Sequence, residues 1–330
     1  MGFRINGILS NIHNPNEATL DFINQWNNSK PYIIAHTSGS TGIPKEIQLK
    51  KNDMIKSAKA TCTFFNITKK SKMMLPLSPN YIAGKMMIVR AIVSGAELWI
   101  EEPSNRPLKY NYGKLDLLPV VPTQIDWIVS LNNSTKITNL IVGGGELSVA
   151  RTQQLLKSGI NTYSTFGMTE TCSHIALRHI SSDYYKTLPG ITISQDVRGC
   201  LIITAPEFSF HQITTNDIVD VIDSNHFIWK GRIDNVINSG GIKIHPEQIE
   251  KKISSIITSP FYIVGEDDEK WGERITLYIE SSYIDKTSIV AKLKTILDKH
   301  SIPQKIECVK QFYRTNNGKI KRIKNLNQIC

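Results

Sequence analysis

The stretch His36-Thr-Ser-Gly-Ser-Thr-Gly-Ile-Pro-Lys45 is the most informative segment of this 330-residue chain. It follows a short apolar run and combines two glycines with four hydroxyl side chains and a lysine. The backbone N–H groups of such a loop can converge on anionic oxygens, and the side chains add donors and a positive charge. The loop is not a Walker A motif, because Pro44-Lys45-Glu46 stands where that motif requires Gly-Lys-Ser/Thr. We predict a phosphate-binding loop, with a surface linker as the alternative, and its candidate residues are Thr37, Ser38, Gly39, Ser40, Thr41, Gly42 and Lys45.

Outward from this loop, short apolar runs alternate with helical patterns, which predicts an α/β body. The predicted helices cover residues 52–65, capped by Asn52 or Asp53, and 82–94. The predicted strands cover residues 73–77, 97–100, 117–121, 140–142 and 162–166. From about Pro189, short strands with intervening turns predict a β-rich part. A second change after Gly231-Arg232 predicts a small α+β unit, with helices at 247–257 and 288–300 and strands at 261–264 and 275–279.

Composition narrows the class of protein. The hydrophobic content of 40% and the charged content of 21% are those of a folded globular protein. The most apolar helix-like run, 82–100, is interrupted by Lys85, Arg90 and Glu97, so we expect no membrane helix. The N-terminus has no apolar signal core, and the five cysteines are far apart and form no C-x-x-C pair, so we expect a cytoplasmic protein. The net charge of +10 has no accompanying nucleic-acid motif, so we expect no nucleic-acid or membrane partner.

Five further segments follow the loop in a fixed order: Phe166-Gly-Met-Thr-Glu170, Thr215-Asn-Asp217, Gly231-Arg-Ile-Asp234, Gly240-Gly241 and Asn317-Gly-Lys319. Together with the loop, they resemble the motifs of the adenylate-forming enzymes, which include acyl-CoA synthetases, adenylation domains and luciferases. The resemblance implies the fold of that family. It implies a large α/β domain at 1–231 that is shortened at its N-terminus and includes the β-rich subdomain at about 189–231. A hinge at 232–235 would connect it to a small, mobile α+β domain at 236–330.

The resemblance also assigns roles in binding ATP. Glu170 would hold Mg²⁺, which takes few protein ligands and is shared with phosphates, and Thr169 would contact the α-phosphate. Phe166 with Gly167 would face adenine, and Asp217 would accept the ribose hydroxyls with Arg232 beside it. Gly143, Gly144 and Gly145 follow a predicted strand. They would permit the close approach of a flat ring, and the alternative is that they simply form a strand-to-helix turn.

Lys319 is the main catalytic candidate, because a cation near the α-phosphoryl group stabilises the charge that develops during adenylation. In the family a lysine of the small domain has this role. The resemblance implies that the small domain turns about Asp234. One pose would present Lys319, and the other would bring Gly240 and Gly241 to a channel for the pantetheine of CoA.

The compact chain and the segment 167–178 look most like the short o-succinylbenzoate–CoA ligases of menaquinone synthesis. The implied reaction uses 2-succinylbenzoate, ATP and CoA, with Mg²⁺, in a monomer or homodimer. The second substrate carboxylate needs a cation, and we expect Arg90, with Lys85 and His174 as further candidates. The alternative is that Arg90 pairs with a protein carboxylate such as Glu97 or extends to the surface. Departures from the family pattern are Ser78-Pro79 at the acyl pocket, Phe166, Cys200 and Asn216. Another acid, a carrier-protein acceptor or a non-catalytic nucleotide-binding protein are the alternatives.

Overall fold

The computed structural model describes residues 4–5, 8–36, 46–131, 134–315 and 320–326. Its helices are α1 Glu17–Asn27, α2 Lys51–Phe64, α3 Ile82–Ser94, α4 Ile125–Ser130, α5 Val149–Ser158, α6 Pro246–Ile253 and α7 Lys286–Ile296. Short 3₁₀ turns cover Pro122–Gln124, Ile233–Asn235 and Lys299–Ser301. No helix of these residues is both long and apolar enough to cross a membrane.

The strands, in chain order, are β1 Arg4–Ile5, β2 Ile8–Leu9, β3 Ile12–His13, β4 Tyr32–His36, β5 Glu46–Lys50, β6 Lys72–Leu75, β7 Glu97–Ile100, β8 Lys114–Leu115, β9 Leu118–Val120, β10 Lys136–Ile137, β11 Asn139–Val142, β12 Asn161–Gly167, β13 His174–His179, β14 Tyr185–Thr187, β15 Thr192–Gln195, β16 Cys200–Ala205, β17 His211–Asp223, β18 His226–Arg232, β19 Ile237–Ser239, β20 Ile242–Ile244, β21 Phe261–Asp268, β22 Gly272–Glu280 and β23 Lys305–Val309.

A nine-stranded sheet dominates the larger part of the molecule, in the order β15-β16-β17-β18-β14-β13-β12-β11-β9. The strands β9, β11 and β12 are parallel, and the rest pair antiparallel. The strands after Pro189 therefore continue the sheet of the α/β part. Phe166 on β12 and Phe227 on β18 have ring centroids 5.1 Å apart although two strands lie between them. The sheet is therefore strongly curled.

Helix α3 is buried over most of its length against the parallel sheet β3-β7-β6 and against α2. The chain packs on it closely, because a Cβ on Gly84 would lie 2.3 Å from the carbonyl oxygen of Ser78. Glycine is thus required where the Ser78-Pro79 segment crosses the helix. Gly95 ends the helix with φ +72°, the left-handed conformation that glycine adopts without strain.

The predicted cap of α2 was wrong. The helix begins at Lys51, and its N-cap residue, Lys50, makes no side-chain capping bond. The Asp53 carboxylate instead accepts hydrogen bonds from the backbone N–H and the hydroxyl of Ser209. A contact 156 residues away in sequence therefore took the place of the local cap, and it ties α2 to the turn after β16.

The C-terminal part forms its own sheet, β20-β19-β22-β21, with β23 parallel to β22. Helix α6 presents Ile249 and Ile253 at helical spacing to a buried cluster that includes Ile263 and Leu277. The predicted helix extended to Ile257, whereas α6 ends at Ile253. This second core accounts for the α+β pattern that the sequence shows after Arg232.

Candidate active site

Two of the predicted segments lie at one edge of the large sheet. Strands β9, β11 and β12 are parallel, and Val142 is in register with Val120 and Ser164. The carboxyl ends of parallel strands meet at one edge, which is where open α/β sheets bind ligands. The structure therefore brings the glycines at 143–145, which follow β11, next to the segment 166–170, which ends β12.

Close packing explains why residue 143 is a glycine. A Cβ on Gly143 would lie 2.9 Å from Thr165 Oγ1, which donates a hydrogen bond to the Val142 carbonyl at 3.2 Å. Gly144 has φ +81°, a conformation that favours glycine. Helix α5 does not begin until Val149, so the glycines form an open loop at the sheet edge.

Gly167 is confined more tightly. A Cβ there would lie 2.3 Å from the carbonyl oxygen of Ser173, where β12 pairs with β13 around an irregularity between Phe166 and Gly167. Thr171 closes the intervening turn, since its Oγ1 accepts from the Met168 N–H at 3.0 Å and lies 2.7 Å from Ser173 O. At this turn Glu170 is exposed and Thr169 is half-buried.

Phe166 is half-buried, with its ring edge against Phe227 at 5.1 Å and Tyr185 at 5.7 Å. A place in the core and a face open to a ligand are therefore compatible for this ring. Part of the ring packs in the curl of the sheet and part remains open.

The predicted ribose carboxylate lies on the paired strands β17 and β18. Asp217 is 8% exposed, and its Oδ1 accepts from the Trp229 indole N–H at 2.9 Å. Arg232 lies opposite Asp217 in the ladder, with Nη1 3.8 Å from Oδ2. Burial raises the pKa of Asp217 above its usual range, while the bond from Trp229 and the charge of Arg232 oppose that rise.

The predicted hinge residue is held by side chains from the strands before it. Asp234 accepts from the Asn216 amide at 3.2 Å to each carboxylate oxygen and pairs with Arg232 Nη2 at 2.9 Å. On the other side, the Asn235 amide donates to Glu247 Oε1 of α6 at 2.6 Å.

The predicted channel glycines form the turn between β19 and β20. Gly240 and Gly241 have φ +58° and +81°, as the tight two-residue hairpin turn requires. Trp271 covers this turn. Its carbonyl oxygen accepts from the Gly240 N–H at 2.7 Å, and a Cβ on Gly240 would lie 3.0 Å from its ring.

Arg90 is 2% exposed in α3, and Glu97 is not its partner. Its Nη2 donates to Ser173 Oγ at 2.9 Å, its Nη1 lies 3.4 Å from Met87 Sδ, and its Nε has no hydrogen-bond partner among the described residues. Burial lowers the pKa of Arg90 to about 10, so the guanidinium remains charged at neutral pH. An uncompensated charge in the interior is costly, so this arginine is typical of a site for an anion.

The structure brings together Arg90 and His174 but not Lys85. His174 follows Ser173, and its Nε2 lies 3.0 Å from Thr61 Oγ1. Burial and the nearby charge of Arg90 lower the pKa of His174 well below its usual value, so it is neutral. Lys85 lies on another face of α3, with its ammonium group 5.1 Å from the centre of the Phe22 ring, and burial lowers its pKa.

The phosphate loop at 37–45 and Lys319 lie outside the described residues. The strands that flank the loop, β4 and β5, pair antiparallel from Tyr32 and Lys50 to His36 and Glu46. After Lys319, residues 320–326 are bound to the C-terminal sheet. Arg322 makes a bidentate pair with Glu250, at 2.5 and 2.6 Å, and the Leu326 N–H donates to the Tyr278 hydroxyl.

Sequence reasoning missed two neighbours of the site, Ser173 and Trp229. Ser173 lies within the segment 167–178 but was not singled out there, and Trp229 belongs to none of the motifs. For Trp229 a usable signal existed, since the N–H of a partly buried indole usually finds an acceptor and Asp217 lies on the facing strand.

Comparisons with known proteins identify the family of the chain. The family described as AMP-binding enzyme matches residues 9–198. The 2-succinylbenzoate–CoA ligase of Listeria monocytogenes is 24% identical and is matched over 92% of this chain and 71% of its own length. The acyl-CoA synthetase (AMP-forming)/AMP-acid ligase II-like protein of Dyadobacter fermentans is 31% identical over 94% of this chain and 93% of that chain, with a TM-score of 0.60. The o-succinylbenzoate CoA synthetase of Bacillus subtilis, solved with its acyl-adenylate, has a TM-score of 0.77 at 20% identity over 90% of this chain and 68% of that chain.

Proposed function

Because this chain belongs to the AMP-binding enzyme family and is an AMP-forming acid–thiol ligase, we propose that its acid substrate is an aromatic dicarboxylate of the 2-succinylbenzoate type. The reaction has two steps. A carboxylate oxygen of the acid bonds to the α-phosphorus of ATP and pyrophosphate leaves. The sulfur of CoA then bonds to the activated carbonyl carbon, the thiol proton is released, and AMP leaves.

We assign the nucleotide to the edge where β11 and β12 end and to the pair β17–β18. Adenine would lie along the glycines at 143–145 and beside Phe166 and Gly167, and the ribose hydroxyls would donate to Asp217 near Arg232. The phosphate loop at 37–45 and Thr169 would contact the phosphates. The close packing at Gly143 and Gly167 supports this assignment, because side chains are excluded there.

The residues present fit a Mg²⁺ ion that is shared with the phosphates. Glu170 is an exposed carboxylate at the turn after β12, and the described residues contain no group of three side chains that could hold a metal alone. One carboxylate with substrate phosphates is the usual Mg²⁺ environment. When bound by Glu170, the ion would supply charge neutralisation at the phosphates.

We assign Lys319 to the stabilisation of negative charge on the α-phosphoryl oxygens during adenylation. After that step, a turn about Asp234 would remove the lysine and bring Gly240 and Gly241 toward the path of pantetheine. A turn without side chains suits a narrow channel. The domain boundaries at 231 and 236 belong to the same proposal.

The observation that carries the choice of acid is Arg90. It is a buried cation that has no carboxylate partner among the described residues and an unbonded Nε, and it is linked through Ser173 to the segment that ends β12. The succinyl carboxylate of the substrate would react at the α-phosphate, and the ring carboxylate would pair with Arg90. A charge-assisted bond of this kind is about twice as strong as a neutral one.

The test compares two acids that differ only in the ring carboxylate, 2-succinylbenzoate and 4-oxo-4-phenylbutanoate. Pyrophosphate release is measured with each acid for the wild type, Arg90→Gln and Lys85→Met. We expect the wild type to prefer the dicarboxylate and Arg90→Gln to lose that preference by about 30-fold or more in kcat/KM, with the KM for ATP unchanged.

Lys85→Met is the matched control, since it removes another buried cation of α3 that faces the Phe22 ring. It should keep the preference. Equal discrimination by the wild type and Arg90→Gln would overturn the assignment of Arg90, and loss of discrimination in Lys85→Met would transfer the role to that residue. If the wild type released no pyrophosphate with either acid, the proposed substrate class would be overturned.

A further inference from the structure

We propose that Asn216 is a positioning residue that latches the hinge in the pose suited to adenylation. The proposal rests on the proposed function, and it concerns a position where the family motif usually has glycine. Asn216 follows Thr215 and precedes the buried Asp217, so its amide projects from the strand that carries the ribose carboxylate.

The contact itself connects the larger part of the molecule to the hinge. The amide nitrogen of Asn216 lies 3.2 Å from both oxygens of Asp234, and Arg232 Nη2 lies 2.9 Å from one of them. Asp234 sits within the 3₁₀ turn Ile233–Asn235, which connects β18 to the C-terminal sheet. Rotation of the backbone at Asp234 moves its carboxylate relative to β17 and therefore breaks the bonds from Asn216.

The pose held by these bonds places the C-terminal segment on the ribose side. Glu247 of α6 lies against Gly231, because a Cβ there would lie 2.4 Å from Glu247 Oε2. Arg322, three residues after Lys319, has Nη2 3.9 Å from Glu247 Oε1. Gln248 of α6 also donates to the Lys230 carbonyl oxygen at 2.7 Å. The segment that follows the catalytic candidate is thus linked through Arg322 and Glu247 to Gly231, the neighbour of Arg232, while the latch is closed.

A glycine at position 216 would offer no such bond, so the equilibrium between poses in this chain is biased by one side chain. The contact is exposed, and exposed charged contacts of this kind are weak. A weak latch suits a hinge that must open in every turnover. We therefore expect its removal to shift the balance by about two- to fivefold rather than to abolish either step.

The first experiment needs no substrate. Hydrogen exchange is followed at the hinge, where the Val236 N–H donates to the Ile233 carbonyl at 3.2 Å. In Asn216→Ala we expect exchange at Val236 to rise about two- to fivefold. The control is Asp220→Ala, which removes an exposed contact between β17 and β18, to Lys230, without touching Asp234. Unchanged exchange in Asn216→Ala, or an equal rise in both variants, would overturn the latch.

The second experiment separates the half-reactions. We expect single-turnover pyrophosphate release at saturating ATP to fall two- to fivefold in Asn216→Ala, while thioester formation from purified acyl-adenylate and CoA does not fall. In an Asp234→Ala background the change at 216 should have no further effect. Equal loss in both half-reactions, or an undiminished effect in that background, would refute the proposal. A wild type that forms no adenylate would refute the proposed function, while the exchange experiment would still decide on the latch.

Discussion

Replacement of Arg322 by methionine tests how the segment after Lys319 is anchored. The guanidinium makes two bonds to Glu250 and a third to the Ile263 carbonyl at 2.9 Å. The side chains of Arg322 and Glu250 are 25% and 17% exposed. Breaking a buried pair from one side costs about 3–5 kcal/mol, because the remaining charge stays buried. Water reaches the exposed part of this pair, so we expect Arg322→Met to lower the free energy of unfolding by about 2–3 kcal/mol.

The pH dependence of that loss identifies its cause. Burial raises the pKa of Glu250, and Arg322 opposes the rise, so the variant raises this pKa further. A carboxyl group whose pKa is raised by folding favours the folded state at low pH, and that contribution is lost as the pH rises. The loss of stability in Arg322→Met should therefore be larger at pH 7.5 than at pH 5.5.

Urea unfolding at the two pH values is the assay, with Arg322→Met/Glu250→Gln as the companion variant. Removal of the orphaned charge should recover about 1 kcal/mol or more at pH 7.5 and abolish the difference between the two pH values. The reasoning would be refuted if the double variant were no more stable than Arg322→Met at pH 7.5. It would also be refuted if Arg322→Met lost the same free energy of unfolding at both pH values.

Two further predictions concern the proposed nucleotide site. Gly167→Ala places a methyl group against the Ser173 carbonyl oxygen. We therefore expect the free energy of unfolding to fall by about 1–3 kcal/mol and the KM for ATP to rise at least tenfold. A urea midpoint and a KM equal to those of the wild type would contradict this. Trp229→Phe removes a hydrogen bond to the buried Asp217 carboxylate and raises its pKa further, so the Kd for AMP should rise about fivefold or more at pH 7 and more steeply on acidification. Calorimetric titration with AMP between pH 5.5 and 8 measures this, and a constant ratio to the wild type across that range would count against it.

The sequence predicted the elements that obey simple periodicity. Helix α3 and strand β7 have the predicted bounds, because both are dense in apolar residues and end at clear signals. The sequence did not predict β13, whose register with β12 depends on the close approach at Gly167. The prediction that Asn52 or Asp53 caps α2 was wrong, because Asp53 instead bonds to a turn that lies far along the chain.

The candidate site divides in the same way. Asp217 and Arg232 were expected to act together, and strand pairing places them opposite each other. The contact of Asn216 with Asp234 could not be foreseen, since it depends on the direction of a 3₁₀ turn. Among the residues that the structure describes, Arg90 has no carboxylate partner. This could not be foreseen either, because it depends on the neighbours that tertiary packing places around α3.

The curled sheet has a consequence for how an intermediate is retained. The strand ends near Phe166 and the pair that carries Asp217 belong to one hydrogen-bonded ladder, and its curl brings β12 and β18 into contact. Motion beyond Arg232 would leave this ladder intact. On the function proposed above, a nucleotide bound across it would keep its contacts while the C-terminal part moves, so an acyl-adenylate formed there would be carried into the second half-reaction instead of escaping to hydrolysis in solvent.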